Sequence, residues 1–165
     1  IRGLGLSRSP KAVPALLAEL ALCRGVETWE ERVNILTGLT NIAGAGGAAH
    51  EEVGAVLRRH LEDPSPIVAR NAAMWLAERF GDSSGVGTLR SLLDWKYLGG
   101  QGFKPEDQEL LLCRAIQCLA KLRDEESLEA LRRHASENRS YKVKDAALRA
   151  LDGWKAPRSG GGTGS

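Results

Sequence analysis

Apolar residues in this chain fall into short blocks at helical spacing. In DPSPIVARNAAMWLAERFGD, Asp63–Asp82, the residues Val68, Ala72, Leu76 and Phe80 succeed one another at four-residue steps. Ala69, Ala73 and Met74 flank that line, and Arg70, Glu78 and Arg79 lie away from it. This pattern predicts an amphipathic helix with a wide apolar face. Pro64 and Pro66 stop any helix from running in from the preceding segment. Ser65 is the expected N-cap, Pro66 the first helical residue, and Gly81 the C-terminal stop. The small side chains of Ala69, Ala72 and Ala73 let a neighbouring helix approach closely.

The block repeats. Leu76 has counterparts at Leu4, Leu39, Leu119 and Leu151, at steps of 35, 37, 43 and 32 residues. A first helix precedes most of these: Ala12–Leu20, Glu52–Leu61, Gly85–Leu93 and Ser127–Ala135. Two helices per unit at a period in the thirties is the pattern of an α-solenoid. In chain order, the pattern predicts the end of a helix at Ile1–Leu6, then helices over Lys11–Cys23, Trp29–Ala43, His50–Leu61 and Pro66–Phe80. It continues with helices from Val86 to Leu93, Glu106 to Leu122, Glu125 to Ala135 and Tyr141 to Trp154. Thr28 with Glu31 reads as a capping box. Residues 43–49 (AGAGGAA) read as a flexible link. The segment Trp95–Pro105, WKYLGGQGFKP, reads as a long loop, well beyond the usual connection between packed helices. Residues 156–165, APRSGGGTGS, read as a disordered tail or linker.

The spacing Asp63…Val68, with Ala-rich steps on to Leu76, resembles the HEAT repeat, in particular the bacterial repeats of phycobilisome-lyase type. That pattern has an Asp at a turn followed by a Val-Arg pair. Here Ala69 stands in the Arg position with Arg70 one place late, Asn138 replaces the Asp of the last unit, and Val143-Lys144 keeps the pair. These departures put the Asp–Arg ladder of that pattern in question. The resemblance implies an all-α, right-handed α-solenoid of about four helix pairs plus a partial leading helix. It spans residues 1–155 as one repeat domain, a piece of a longer chain.

Composition narrows the function. The 23 basic and 21 acidic residues leave a net charge of +2, too balanced to imply a nucleic-acid or polyanion footprint by itself. No apolar run is long enough to span a membrane. Cys23, Cys113 and Cys118 suit a reducing compartment, so a cytoplasmic protein is expected, with each thiol buried and inert. The chain carries no local signature of a Cys–His or Ser–His–Asp centre, and residues 44–47 lack the Lys and Ser/Thr of a phosphate loop. His50-Glu51 is similar to the iron-binding His-Glu pairs of deoxyhypusine hydroxylase, but those come in sets, and His60 and His134 have no adjacent Glu. No cofactor, metal or small-molecule substrate is expected.

Two features are candidate interaction sites. Trp95, Tyr97 and Phe103, interleaved with Lys96 and Lys104, concentrate aromatic area in one stretch, and aromatics on exposed segments are frequent binding anchors. Alternatively, they fold back over an apolar edge. Arg58-Arg59-His60 and Arg132-Arg133-His134 occupy equivalent places in two units and could line up as a basic stripe. The simpler expectation is ordinary exposed arginines beside Glu62 and Glu129. Together these favour a non-enzymatic scaffold or adaptor that binds a protein partner, or another domain of its own polypeptide. The alternatives are a nucleic-acid-binding module like the HEAT-like DNA glycosylases, and a lyase- or hydroxylase-like enzyme subunit.

Overall fold

The computed structural model describes residues 9–43 and 48–155, and all regular structure among them is helical. The expected helix end at Ile1–Leu6, the link at residues 44–47 and the tail at 156–165 lie outside the described residues. By Cα proximity the chain divides into two compact units, meeting between Ser91 and Leu92.

In the first unit, Pro10 opens a 3-10 turn that runs into α1, Val13–Leu22. α2 spans Trp29–Ala43 and α3 spans Ala48–Arg59, extended by a 3-10 turn over His60–Glu62. Ala48 and Ala49 are therefore helical and not part of a link. α4 begins with Pro66 as its first residue, as Pro64 and Pro66 dictate, and spans Pro66–Trp75. Ser65 holds the N-cap position with extended backbone, but its hydroxyl makes no capping bond. Val68, Ala72 and Leu76 are fully buried, and Phe80 is half-buried.

From Leu76 to Phe80 the α4 helix widens into a π-turn, which ends at Gly81 with φ 62°. The Gly81 and Asp82 amides both donate to the Leu76 carbonyl. The wide turn lays Phe80 beside His50, with ring centroids 4.3 Å apart, and over Gly54, where an added Cβ would come within 3.4 Å of the ring. α5, Val86–Ser91, enters against α4. A Cβ on Gly85 would lie 2.6 Å from the Ala73 Cβ and 2.8 Å from its Cα. Here the close approach that the small residues of α4 permit is real.

The second unit holds α6 (Trp95–Gly100), α7 (Pro105–Leu122), α8 (Leu128–Glu137) and α9 (Tyr141–Lys155). α9 packs on both α7 and α8, and α6 on α7. α7 ends where Arg123 takes a left-handed conformation (φ 51°, ψ 50°), with the Arg123 and Asp124 amides returning to the Leu119 carbonyl. Glycine is the usual occupant of such a stop.

One turn device recurs in both units. Asp63, Asp82, Asp94 and Asn138 each accept, through Oδ1, the amide two residues on, from Ser65, Ser84, Lys96 and Ser140 at 2.8–2.9 Å. Such a turn fixes the chain just before a helix starts and occupies an otherwise orphaned amide. Asn serves as well as Asp, so Asn138 keeps the turn.

In the first unit the structure answers the question of the Asp–Arg pair and corrects the expected capping box. Arg32 is 3% exposed and forms a bidentate pair with Asp63, Nε to Oδ2 at 3.0 Å and Nη2 to Oδ1 at 2.9 Å. An Asp–Arg rung is therefore present, with the Arg supplied by α2. Instead of closing a capping box, the Thr28 hydroxyl donates back to the Arg24 carbonyl and accepts from Arg32 Nη1 at 2.8 Å. Arg32 Nη1 also donates to the carbonyl of Gly25, which the chain reaches with φ 86°.

Candidate functional site

The segment Trp95–Pro105 is not a loop throughout. Asp94 caps α6 by accepting the Lys96 amide, and Leu98, fully buried, anchors the short helix. Residues 101–104 lead into α7, and Gln108 Nε2 donates to the Phe103 carbonyl at 2.7 Å. Lys96 and Lys104 are exposed, Tyr97 is 39% exposed, and Trp95 and Phe103 are half-buried. The aromatics thus divide: Trp95 and Phe103 give part of their surface to the fold, while Tyr97 stands between water and protein beside an exposed lysine. A tyrosine in that position offers apolar area and a hydroxyl together.

The basic candidates differ from one another. Arg58 in the first unit is bound to Asp82 at 2.6 Å. Burial alone would raise the Asp82 carboxyl, but hydrogen bonds from Ser84 and Arg58 hold it below the ordinary carboxylate range. Arg132 and Arg133 in the second unit are exposed on α8, in a shallow surface hollow shared with Glu126, Glu129 and Glu137. That mixed lining gives no single-sign field.

His134 does not belong with the arginines before it. It is 5% exposed; its Nε2 lies 2.9 Å from the Leu93 carbonyl and its Nδ1 2.9 Å from Asn138 Nδ2. A carbonyl only accepts, so Nε2 carries the proton and Nδ1 accepts from the Asn138 amide. Burial pushes the His134 pKa down, against the Leu93 hydrogen bond and with help from Arg133. A second proton on Nδ1 would face the Asn138 amino group, whose partner oxygen is held by the Ser140 amide. The unfolded chain therefore takes up this proton first. Stability should be full above pH ~6.5, the unfolded histidine value, and fall as pH drops through the window below it, by up to about 1.4 kcal/mol per unit. Urea unfolding of the native chain and His134→Gln between pH 7.5 and 5 checks this: the native slope should largely vanish in the variant. Equal slopes would mean that His134 titrates normally.

A further cluster joins α7 to α9. Glu109 accepts the Ser140 hydroxyl and pairs with Lys142 Nζ at 3.1 Å. These bonds, from Ser140 first and Lys142 second, hold the Glu109 carboxyl below its usual range. Leu110 and Tyr141, each next in sequence to a member of this contact, are 67% and 81% exposed. Neither stood out as a candidate in the sequence. The signal for Leu110 was the run Leu110-Leu111-Leu112: three consecutive helical residues sweep about 200° of arc, more than one buried face accommodates. Tyr141 opens its helix, where the side chain precedes the packed turns.

Among the described residues, no group of three His, Cys, Asp or Glu side chains could hold a metal ion. His50 Nδ1 lies 3.1 Å from the Ala43 carbonyl, to which it donates, and its ring stacks on Phe80. All three cysteines are free; Cys118 is buried as expected, but Cys23 and Cys113 are only half-buried, and desolvation raises both of those thiols above their ordinary value. A raised thiol is a poor nucleophile at neutral pH. No helix among the described residues is long and apolar enough to cross a membrane.

Fold and surface together define an all-helical chain whose exposed chemistry is apolar and mixed-charge. No family model, curated protein or solved structure matches it.

Proposed function

We propose that this chain is a non-enzymatic scaffold or adaptor module, built as a HEAT-like α-solenoid, that binds a protein partner through α6 and the residues that follow it. The observation that carries this reading is Tyr97 held partly exposed next to Lys96 on a helix anchored by Leu98, with Lys104 exposed at the entry to α7. A rigid aromatic costs little entropy to bind, and flanking lysines select an acidic surface. The large apolar side chains exposed in the second unit, Tyr97, Leu110, Tyr141 and Leu148, fit a surface built for contact with protein. The partner is another protein or another domain of the same polypeptide, and the cytoplasm is the compartment its free thiols suit.

The test compares the native chain with a Lys96→Glu, Tyr97→Ser, Lys104→Glu variant. These exposed positions should change the melting temperature by less than about 2 °C. The variant is expected to lose a protein that the native chain retains stoichiometrically in moderate salt. Retention of the same protein by both chains removes α6 from the interface. Duplex DNA binding that weakens steeply with salt would replace the protein-binding reading with the nucleic-acid one.

A further inference from the structure

The second helices of the chain can be laid over one another by their leucines, and this comparison isolates one open face. Leu39 of α2 corresponds to Leu151 of α9, so Arg32, Leu36 and Ile42 correspond to Lys144, Leu148 and Trp154. In α2 all four positions are buried, because α3 and α4 pack over them and Asp63 closes on Arg32. The equivalent line of α7, Leu112, Ile116 and Leu119, is fully buried too. In α9 the same line is uncovered: Leu148 is 51% exposed, and Lys144, Leu151 and Trp154 are half-buried. The positions that face a helix's own partner do not differ in this way. Ala147 and Ala150 of α9 are buried like Ile35 and Gly38 of α2.

Leu148, Leu151 and Trp154 form, with Leu128 of α8, a mostly apolar groove that also touches Arg132 and Asp152. Lys144 stands one turn before Leu148 on the same side of the helix. Its ammonium makes no ion pair among the described residues, in the place where Arg32 holds Asp63.

We propose that this face of α8 and α9 is a docking site for a helical hairpin with an aspartate or glutamate in the turn before its second helix. The apolar sides of that hairpin would cover Leu148, Leu151 and Trp154, and its carboxylate would seat on Lys144 as Asp63 seats on Arg32. Charge and shape both come from the chain's own example: α3 and α4, joined through Asp63, are such a hairpin on such a face. The inference rests on the repeat reading and not on Lys96–Lys104, so loss or retention of the partner captured there leaves it untouched.

The test uses that example as the probe. A copy of residues 44–85 is placed after Lys155 in place of residues 156–165, in the register that follows Ala43. Amide exchange over residues 144–154 should slow at least about tenfold in the extended chain, the effect of modest coupling between packed neighbours. Lys144→Asp should remove most of that protection, and changing the copied Asp63 to asparagine in the same chain, which keeps the turn and removes the opposing charge, should restore part of it. Leu148→Asp is a second probe, independent of whether the appended hairpin folds. In the original chain it should leave the melting temperature within about 2 °C, as at a surface position, while in the extended chain it abolishes protection. Three results overturn the proposal: an extended chain whose α9 exchanges as before, removal of the copied charge without any recovery, or Leu148→Asp unfolding the original chain as a core substitution would. Concentration-dependent dimerisation of the original chain, lost in Leu148→Asp, also overturns it and gives the face to a second copy.

Discussion

Replacing Arg32 with leucine is expected to destabilise the chain by about 3–5 kcal/mol, the usual loss when one member of a buried ion pair is removed. Arg32 and Asp63 side chains are 4% and 5% exposed and share two parallel hydrogen bonds, with Thr28 and the Gly25 carbonyl occupying the rest of the guanidinium. Without the arginine, the Asp63 carboxylate stays buried with only the Ser65 amide for compensation, and the Gly25 carbonyl and the Thr28 hydroxyl oxygen each lose a donor. Lysine cannot reproduce the fork, so Arg32→Lys should recover only part of the loss. The informative experiment is the pair Arg32→Leu and Asp63→Asn, alone and combined, by urea denaturation. Asn keeps the turn, as Asn138 shows, and removes the charge. The double variant should therefore be more stable than Arg32→Leu alone. If Arg32→Leu costs less than about 1 kcal/mol, the pair is solvated and is not a structural rung.

Leu76→Ala is expected to cost about 2–5 kcal/mol, within the range for truncating a buried leucine. Leu76 is fully buried in the first unit's core, at the residue where α4 widens, with Val68 and Ala72 on one side and the half-buried Phe80 on the other. The cluster around it includes Leu36, Leu39, Val53 and Leu57, all fully buried, which limits how far the site can collapse around a lost side chain. That places the expected cost towards the upper part of the range. Chemical denaturation gives the value directly, and a change under roughly 0.5 kcal/mol would remove Leu76 from the core.

Helix positions were legible in the sequence wherever a residue acts locally. Pro66 and Pro105 start their helices as a fixed φ and missing amide require, Gly81 ends one in the left-handed region, and the four-residue line of α4 points inward. What escaped depends on partners distant in sequence. Arg32 meets Asp63 across 31 residues, and no local pattern announces it. His134 looked like the end of a basic triplet, yet it shares a helix side with Leu131 and Asn138, all three buried. An apolar stripe running through a histidine was the available signal. The α6 helix was hidden by Gly99 and Gly100, which lower helix propensity; Asp94, two residues before the Lys96 amide, carried the contrary sign. In the candidate site, exposure of Lys96 and Lys104 followed from charge. The division of Trp95, Tyr97 and Phe103 between fold and solvent did not, because burial of an aromatic is decided by what packs over it.

The π-turn at Leu76–Phe80 sets which way the end of α4 faces. A wide turn holds one residue more than an α-helical turn, so α4 takes up one extra residue there while remaining continuous. The residues before it keep regular helical facing, and the wide turn carries Phe80 round over Gly54 and His50. Deleting one residue there would return the helix to regular pitch and swing Phe80 away from that contact. One residue of chain length at this point therefore decides whether the Phe80 contact exists.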